Sequence, residues 1–108
     1  MRGSVEGVRL LRPETIELIF DVQADGVDLV LPTPLRWGVG YALPKREFLP
    51  YIPDEKICFW GGWGGSKVLM WPERRTTVAY VMNKMGPGVL GSDRMARYGS
   101  EIFAALAA

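Results

Sequence analysis

The stretch from Cys58 to Trp71, Cys-Phe-Trp-Gly-Gly-Trp-Gly-Gly-Ser-Lys-Val-Leu-Met-Trp, constrains the fold more than any other part of the chain. Four glycines and two tryptophans share positions 60–65. Glycine has no Cβ, so backbone can come close to another group there and take φ > 0, while a neighbouring Trp walls the gap. The combination predicts a cleft lined by main-chain N–H groups. A phosphate-binding loop would need a helix behind it and a Lys-Ser/Thr pair at its end. Here an apolar, strand-like run follows instead, from Gly65 to Trp71. Pro72 then sets a turn, and Thr76 to Lys84 returns as β-branched and aromatic sequence, so the two runs predict a hairpin.

Other strands and helices gather around this hairpin. Arg36 to Leu43 alternates in strand fashion, with Trp37, Val39, Tyr41 and Leu43 on one face and Gly38, Gly40 and Ala42 on the other. A face made of small residues implies that something packs closely against it. Between Pro44 and Pro53 runs a Pro-rich loop whose Phe48 and Tyr51 either form a lip over a substrate or cap the core. Pro13 suits a first helical position and Ile16, Ile19 and Phe20 share a face, which predicts a short helix over 13–22 ended by Asp25-Gly26. Ser92 reads as an N-cap, and Met95, Tyr98, Ile102 and Leu106 form a stripe on a terminal helix over 93–106. The expected class is α+β: an antiparallel meander of about three strands with the C-terminal helix packed on it and a short N-terminal helix.

Composition excludes several functions. With 108 residues the chain is one domain at most. A net charge of +1, with basic residues beside acids in Lys45-Arg46-Glu47 and Glu73-Arg74-Arg75, gives no reason to expect nucleic acid as a partner. No apolar run is long enough to span a membrane and the N-terminus lacks a secretion core, so a cytoplasmic location is the default. The chain has no His, which removes Ser-His-Asp triads, Cys–His pairs and the usual His/Cys zinc sites. No cofactor or metal is expected. Cys58, between Ile57 and Phe59, reads as a small buried hydrophobe.

Trp60-Gly61-Gly62-Trp63-Gly64-Gly65-Ser66, the strand after it, Pro72-Glu73-Arg74-Arg75 and the strand carrying Tyr80-Val81-Met82-Asn83-Lys84-Met85 resemble the C-terminal part of the serine β-lactamase-like superfamily, and within it the family VIII carboxylesterases. In that superfamily the third active-site motif reads Lys-Thr-Gly or His-x-Gly, and Trp-Gly-Gly or His-Gly-Gly in esterases. Trp60-Gly61-Gly62 stands in its place. The resemblance implies a partial β-lactamase/transpeptidase-like fold in which residues 1–108 form the C-terminal portion of a hydrolase domain. It also implies a role for Trp63, whose backbone N–H would be one of two donors to the oxyanion of an ester substrate. Trp60 in place of Lys or His removes a partner for a substrate carboxylate, which favours uncharged esters over β-lactams. The alternative for Trp60 and Trp63 is packing without substrate contact.

The same resemblance calls for a Ser-x-x-Lys nucleophile and a Tyr base in a Tyr-x-Asn motif. Neither is present: Ser4, Ser66, Ser92 and Ser100 are followed three residues on by Gly7, Leu69, Met95 and Phe103, and Tyr80 precedes Asn83 by one residue too many. Two functions fit this pattern. One is a fragment of a carboxylesterase-type serine hydrolase that supplies the oxyanion side of the site. The other is a non-catalytic module that binds a partner chain through an exposed sheet edge; the fragment is expected to self-associate through that edge or aggregate, whereas a self-sufficient module would stay monomeric. With no nucleophile–base pair, the chain by itself should hydrolyse neither p-nitrophenyl esters nor a chromogenic cephalosporin above background. Turnover abolished by a serine-directed phosphonate would contradict this.

Overall fold

The computed structural model describes residues 3–88, 90 and 92–108. Ten elements follow in order: β1 (Ser4–Val5), β2 (Val8–Arg9), α1 (Pro13–Ile19), β3 (Ala24–Val27), β4 (Pro34–Trp37), β5 (Ala42–Leu43), β6 (Cys58–Gly61), β7 (Lys67–Trp71), β8 (Thr76–Tyr80) and α2 (Asp93–Ala107). β1 and β2 make a separate hairpin over Glu6-Gly7, both at positive φ, the backbone that matches the twist of a two-residue turn. The other six strands form one antiparallel sheet in sequence order, β3-β4-β5-β6-β7-β8. The α+β class and the meander are as expected, but the sheet has six strands where about three were anticipated.

One of the additional strands comes from a segment read differently from its sequence. Residues 36–43 do not run as one strand; β4 and β5 are the arms of a hairpin closed by Gly38 N–H donating to the Tyr41 carbonyl at 2.9 Å, with Gly40 at φ 79° in the turn. Apolar alternation continued through the turn and hid it. The close approach predicted for the small residues does occur, at Gly38, where a Cβ would stand 2.0 Å from the Ile19 carbonyl oxygen. Asp25-Gly26, expected as a helix-ending turn, lies inside β3 and pairs with Arg36 and Leu35. Asp and Gly are poor strand formers, so this pairing is decided by the partner: Arg36 and Lys45 both bind the Asp25 carboxylate, and Lys45 above all holds its pKa below the usual range. α1 starts at Pro13 as predicted but ends at Ile19, where Phe20 and Asp21 bond back to Glu17 and Leu18 in a tightened last turn.

The hairpin β7–β8 is present with its turn at Pro72–Arg75, closed by Arg75 N–H on the Pro72 carbonyl at 3.1 Å. β7 starts at Lys67 and β8 ends at Tyr80, its partner in register, so β8 stops short of Lys84. Along β7 burial alternates with a period of two: Lys67, Leu69 and Trp71 are buried, Val68 and Met70 half-buried. The buried side meets Ile52 and Ile57 from the 44–57 loop, Phe59 of β6 and Phe103 of α2, with the rings of Trp71 and Phe103 5.6 Å apart. Each such large apolar side chain removed from water contributes about 1.5–3 kcal/mol.

Ser92 caps α2 as predicted, its Oγ accepting from the Met95 N–H. The buried stripe of α2 is Met95, Gly99 and Phe103, rotated from the predicted one: Tyr98 is half exposed and Ile102 and Leu106 are only partly covered. Gly99 causes the rotation. A Cβ there would meet the Tyr51 ring at 2.6 Å, so the helix seats on the loop through its one residue without a side chain. Among the described residues no helix is long and apolar enough to cross a membrane. Because the contact at Gly38 is with backbone that has little freedom to yield, Gly38→Ala should cost about 1–3 kcal/mol in urea unfolding. An unchanged midpoint would show that α1 is not held against the β4–β5 turn.

Candidate functional site

The residues Trp60-Gly61-Gly62-Trp63 lie at the tip of the β6–β7 hairpin, where these neighbouring strands end in a glycine turn. Gly61 is opposite Lys67 in register, and beyond it the Gly62 N–H donates to the Ser66 carbonyl at 3.0 Å and the Gly65 N–H to the Gly62 carbonyl at 3.2 Å. Gly64 is held from outside: its N–H donates to the Gly88 carbonyl at 3.0 Å, and its carbonyl accepts from the Gly86 N–H at 2.8 Å. Gly64 and Gly65 have φ of 94° and 115°, which other residues rarely adopt. At Gly64 a Cβ would also collide with the Met82 and Met85 methyls at 2.9 and 2.8 Å. Ser66 Oγ donates to the Met82 sulfur at 3.1 Å. The turn is thereby clamped onto the strap that carries Met82, Met85, Gly86 and Gly88.

This bonding narrows the expectation of a cleft lined by main-chain N–H groups. Those of Gly62, Gly64 and Gly65 are engaged within the turn and strap, whereas the Trp63 N–H has no hydrogen-bond partner among the described residues. Its indole is 68% exposed. Trp60 is half-buried, with its ring 4.8 Å from that of Trp37. Trp60, Gly61, Gly62, Ser66, Val68 and Ala79 line an open groove of about 300 Å³ beside the turn.

Phe48 and Tyr51, the predicted lip, do not line this groove. They border a second cavity of about 360 Å³, with Leu31, Leu49, Leu90 and Asp93 around it, and pack against the core. The Tyr51 ring lies on Gly99, and its hydroxyl accepts a hydrogen bond from Lys67 Nζ at 2.9 Å. Burial pushes the Tyr51 hydroxyl up to about 12. Cys58 is buried as expected, its thiol pushed up to about 11 by the same cause.

Sequence reasoning missed Lys67. Its side chain is only 3% exposed; Nζ donates to the Leu90 carbonyl at 3.0 Å as well as to Tyr51, and lies 4.6 Å from the centroid of the Phe59 ring. No carboxylate pairs with it among the described residues, and desolvation pulls the amine down to about 8. The signal was in the chain: with a period of two, Lys67 shares the face of Leu69 and Trp71.

This fold and turn were compared with known proteins. Neither protein-family models nor curated protein sequences give a match. Among solved structures, a penicillin-binding protein homolog from Caulobacter crescentus superposes with a TM-score of 0.83 at 34% identity, over 96% of this chain and 28% of that one. A family VIII carboxylesterase superposes with a TM-score of 0.80 at 26% identity, over 97% of this chain and 28% of its own. Over 96–97% of its length, then, this chain matches part of the β-lactamase-like fold, as its sequence suggested. It spans 28% of the length of each of these two chains, one a penicillin-binding protein homolog and the other a carboxylesterase.

The Lys67 amine gives a pH dependence with a definite sign. Its folded pKa lies below the unfolded one, so between the two the unfolded chain binds more protons and stability rises with pH. Tyr51 and Cys58, raised by burial, act in the opposite sense at higher pH, which leaves about pH 8 to 9 as the clear window. Relative to Lys67→Met, the unmodified chain should gain stability across that window in parallel urea titrations. A difference that stays flat would mean Lys67 is not desolvated.

Proposed function

We propose that this chain forms the C-terminal portion of a carboxylesterase-type serine hydrolase and supplies the oxyanion side of its active site. The observation that carries this reading is the Trp63 N–H, which has no partner among the described residues and is held on a turn whose glycine N–H groups at 62, 64 and 65 are engaged, beside a groove open to solvent. A donor fixed in advance, and not recruited from a mobile loop, is what stabilises a developing oxyanion without reorganisation. The likeness to a family VIII carboxylesterase over 97% of this chain supports the choice of chemistry. Trp60 at the head of the motif offers an apolar wall, and the nearest ammonium, on Lys67, is engaged with Tyr51 and Leu90. Both features suit an uncharged ester better than a substrate carrying a carboxylate. In this reading the serine nucleophile, its lysine and the tyrosine base belong to residues outside this sequence, and Phe48 and Tyr51 serve the core instead of the substrate.

One observation favours the second reading, a module that binds a partner chain. β8 is an edge strand, and Val81 just beyond it is 81% exposed, so a partner strand could pair there.

Joining this chain in one polypeptide to the Ser-x-x-Lys-bearing part of a β-lactamase-like relative, and assaying short-chain p-nitrophenyl esters, separates the two readings. Trp63→Pro, which deletes the N–H, should lower kcat by about 100–1,000-fold, as loss of one oxyanion donor does. Trp60→Ala should reduce ester turnover while leaving the melting temperature close to that of the parent. Normal kinetics with a lowered melting temperature would assign Trp60 to packing, and undiminished turnover in Trp63→Pro would remove the oxyanion role.

A further inference from the structure

Among the described residues no opposite charge pairs with the buried Lys67, so its burial must be compensated by the bonds it makes. Those bonds connect three separate parts of the chain. Lys67 is the first residue of β7 and stands opposite Gly61, directly behind the glycine turn. Its Nζ reaches Tyr51 in the 44–57 loop and the carbonyl of buried Leu90 in the strap, while the Phe59 ring face occupies a third side of the ammonium. The strap anchored at Leu90 is the one on which the turn rests: Gly86 and Gly88 bond Gly64, and Ser92 would be 3.2 Å from a Cβ on Gly65. Trp63 lies between Gly62, bonded to the base of the hairpin, and Gly64, bonded to the strap. Both neighbours of Trp63 are thus held, which restricts the backbone that carries its N–H.

We propose that Lys67 is a positioning residue for the Trp63 N–H, acting through the Leu90 carbonyl to keep Gly86 and Gly88 bonded to the glycine turn. The inference rests on the reading of Trp63 as a donor only for its functional meaning; the mechanical link stands on the hydrogen bonds alone. Of the titratable groups on the elements packed around Lys67, Tyr51 bonds it, while Asp93 and Tyr98 of α2 and Tyr80 of β8 make no hydrogen bond or ion pair with it among the described residues. Its ionisation therefore affects the strap through Leu90 and Tyr51 and not through a neighbouring acid.

The test is NMR on this chain, following backbone amides together with the Lys67 Cε resonance. In a pH titration the Trp63 and Gly64 amides should move with the same midpoint as Lys67 Cε, near 8, while amides at the far end of α2 stay still. Lys67→Met should displace the Trp63 and Gly64 amides, abolish their titration and speed exchange of the Gly64 N–H at least tenfold over that of the β7–β8 ladder. Tyr51→Phe, which keeps the Leu90 bond, should produce a smaller displacement. Trp63 and Gly64 amides indifferent to the Lys67 titration would overturn the proposal even if Lys67→Met failed to fold. Failure of the donor reading looks different: the amides would remain coupled to Lys67, yet Trp63→Pro would leave ester turnover of the joined polypeptide unchanged.

Discussion

The architecture depends on burying one side of β6 and β7 beneath α2 and the 44–57 loop. Phe59, Leu69 and Trp71 meet Ile52, Ile57 and Phe103 there, and these residues make up most of the core. A chain of this length has few alternatives, since its ratio of surface to volume leaves room for one small core only. The seating of α2 through Gly99 on the Tyr51 ring follows from the same need, because a side chain at that position would lift the helix off the loop. The position of Tyr51 in turn decides where Lys67 can place its ammonium.

From that core the site is reached by a short mechanical path. β6 and β7 leave the core side by side, end in the glycine turn, and present Trp63 at its tip. Two backbone hydrogen bonds to Gly86 and Gly88 and the methionine methyls of Met82 and Met85 leave no room for any residue but glycine at 64. Rigidity here does not come from regular secondary structure, because none of the described residues of 62–66 and 82–92 is in a helix or strand. It comes from backbone groups that satisfy one another at close range, which glycine permits and a Cβ forbids.

The surface away from this core is less finished. Leu29 and Val30 at the tip between β3 and β4 are almost fully exposed, held there by Asp28, whose carboxylate accepts the Val30 and Leu31 N–H groups and the Trp37 indole N–H. Val8, Leu10 and Val27 add to the exposed apolar area. Patches of this kind mark contact surfaces in proteins whose core is elsewhere. They agree with a chain that spans little more than a quarter of its two structural neighbours.

The sequence by itself determined what is encoded at short spacing. The glycine turn, the Pro72 turn, the strand leading to Trp71, the Ser92 cap and the start of α1 at Pro13 were legible because each depends on residues one to four positions apart, and so was the motif that pointed to the superfamily. Tertiary structure decided what depends on distant partners. Asp25-Gly26 became a strand because Arg36 and Lys45 meet it across the hairpin, and the apolar alternation of 36–43 folded back on itself where Ile19 needed space at Gly38. Of the two roles open to Tyr51, lip or core cap, its packing on the core depends on Gly99, which is absent from any count of hydrophobic spacing. Lys67 reads in sequence as an ordinary charged strand residue. Only when β7 takes its place between β6 and β8, with Leu90 and Tyr51 closing over it, does that charge become buried and bonded, because desolvation is a property of the surroundings and not of the residue.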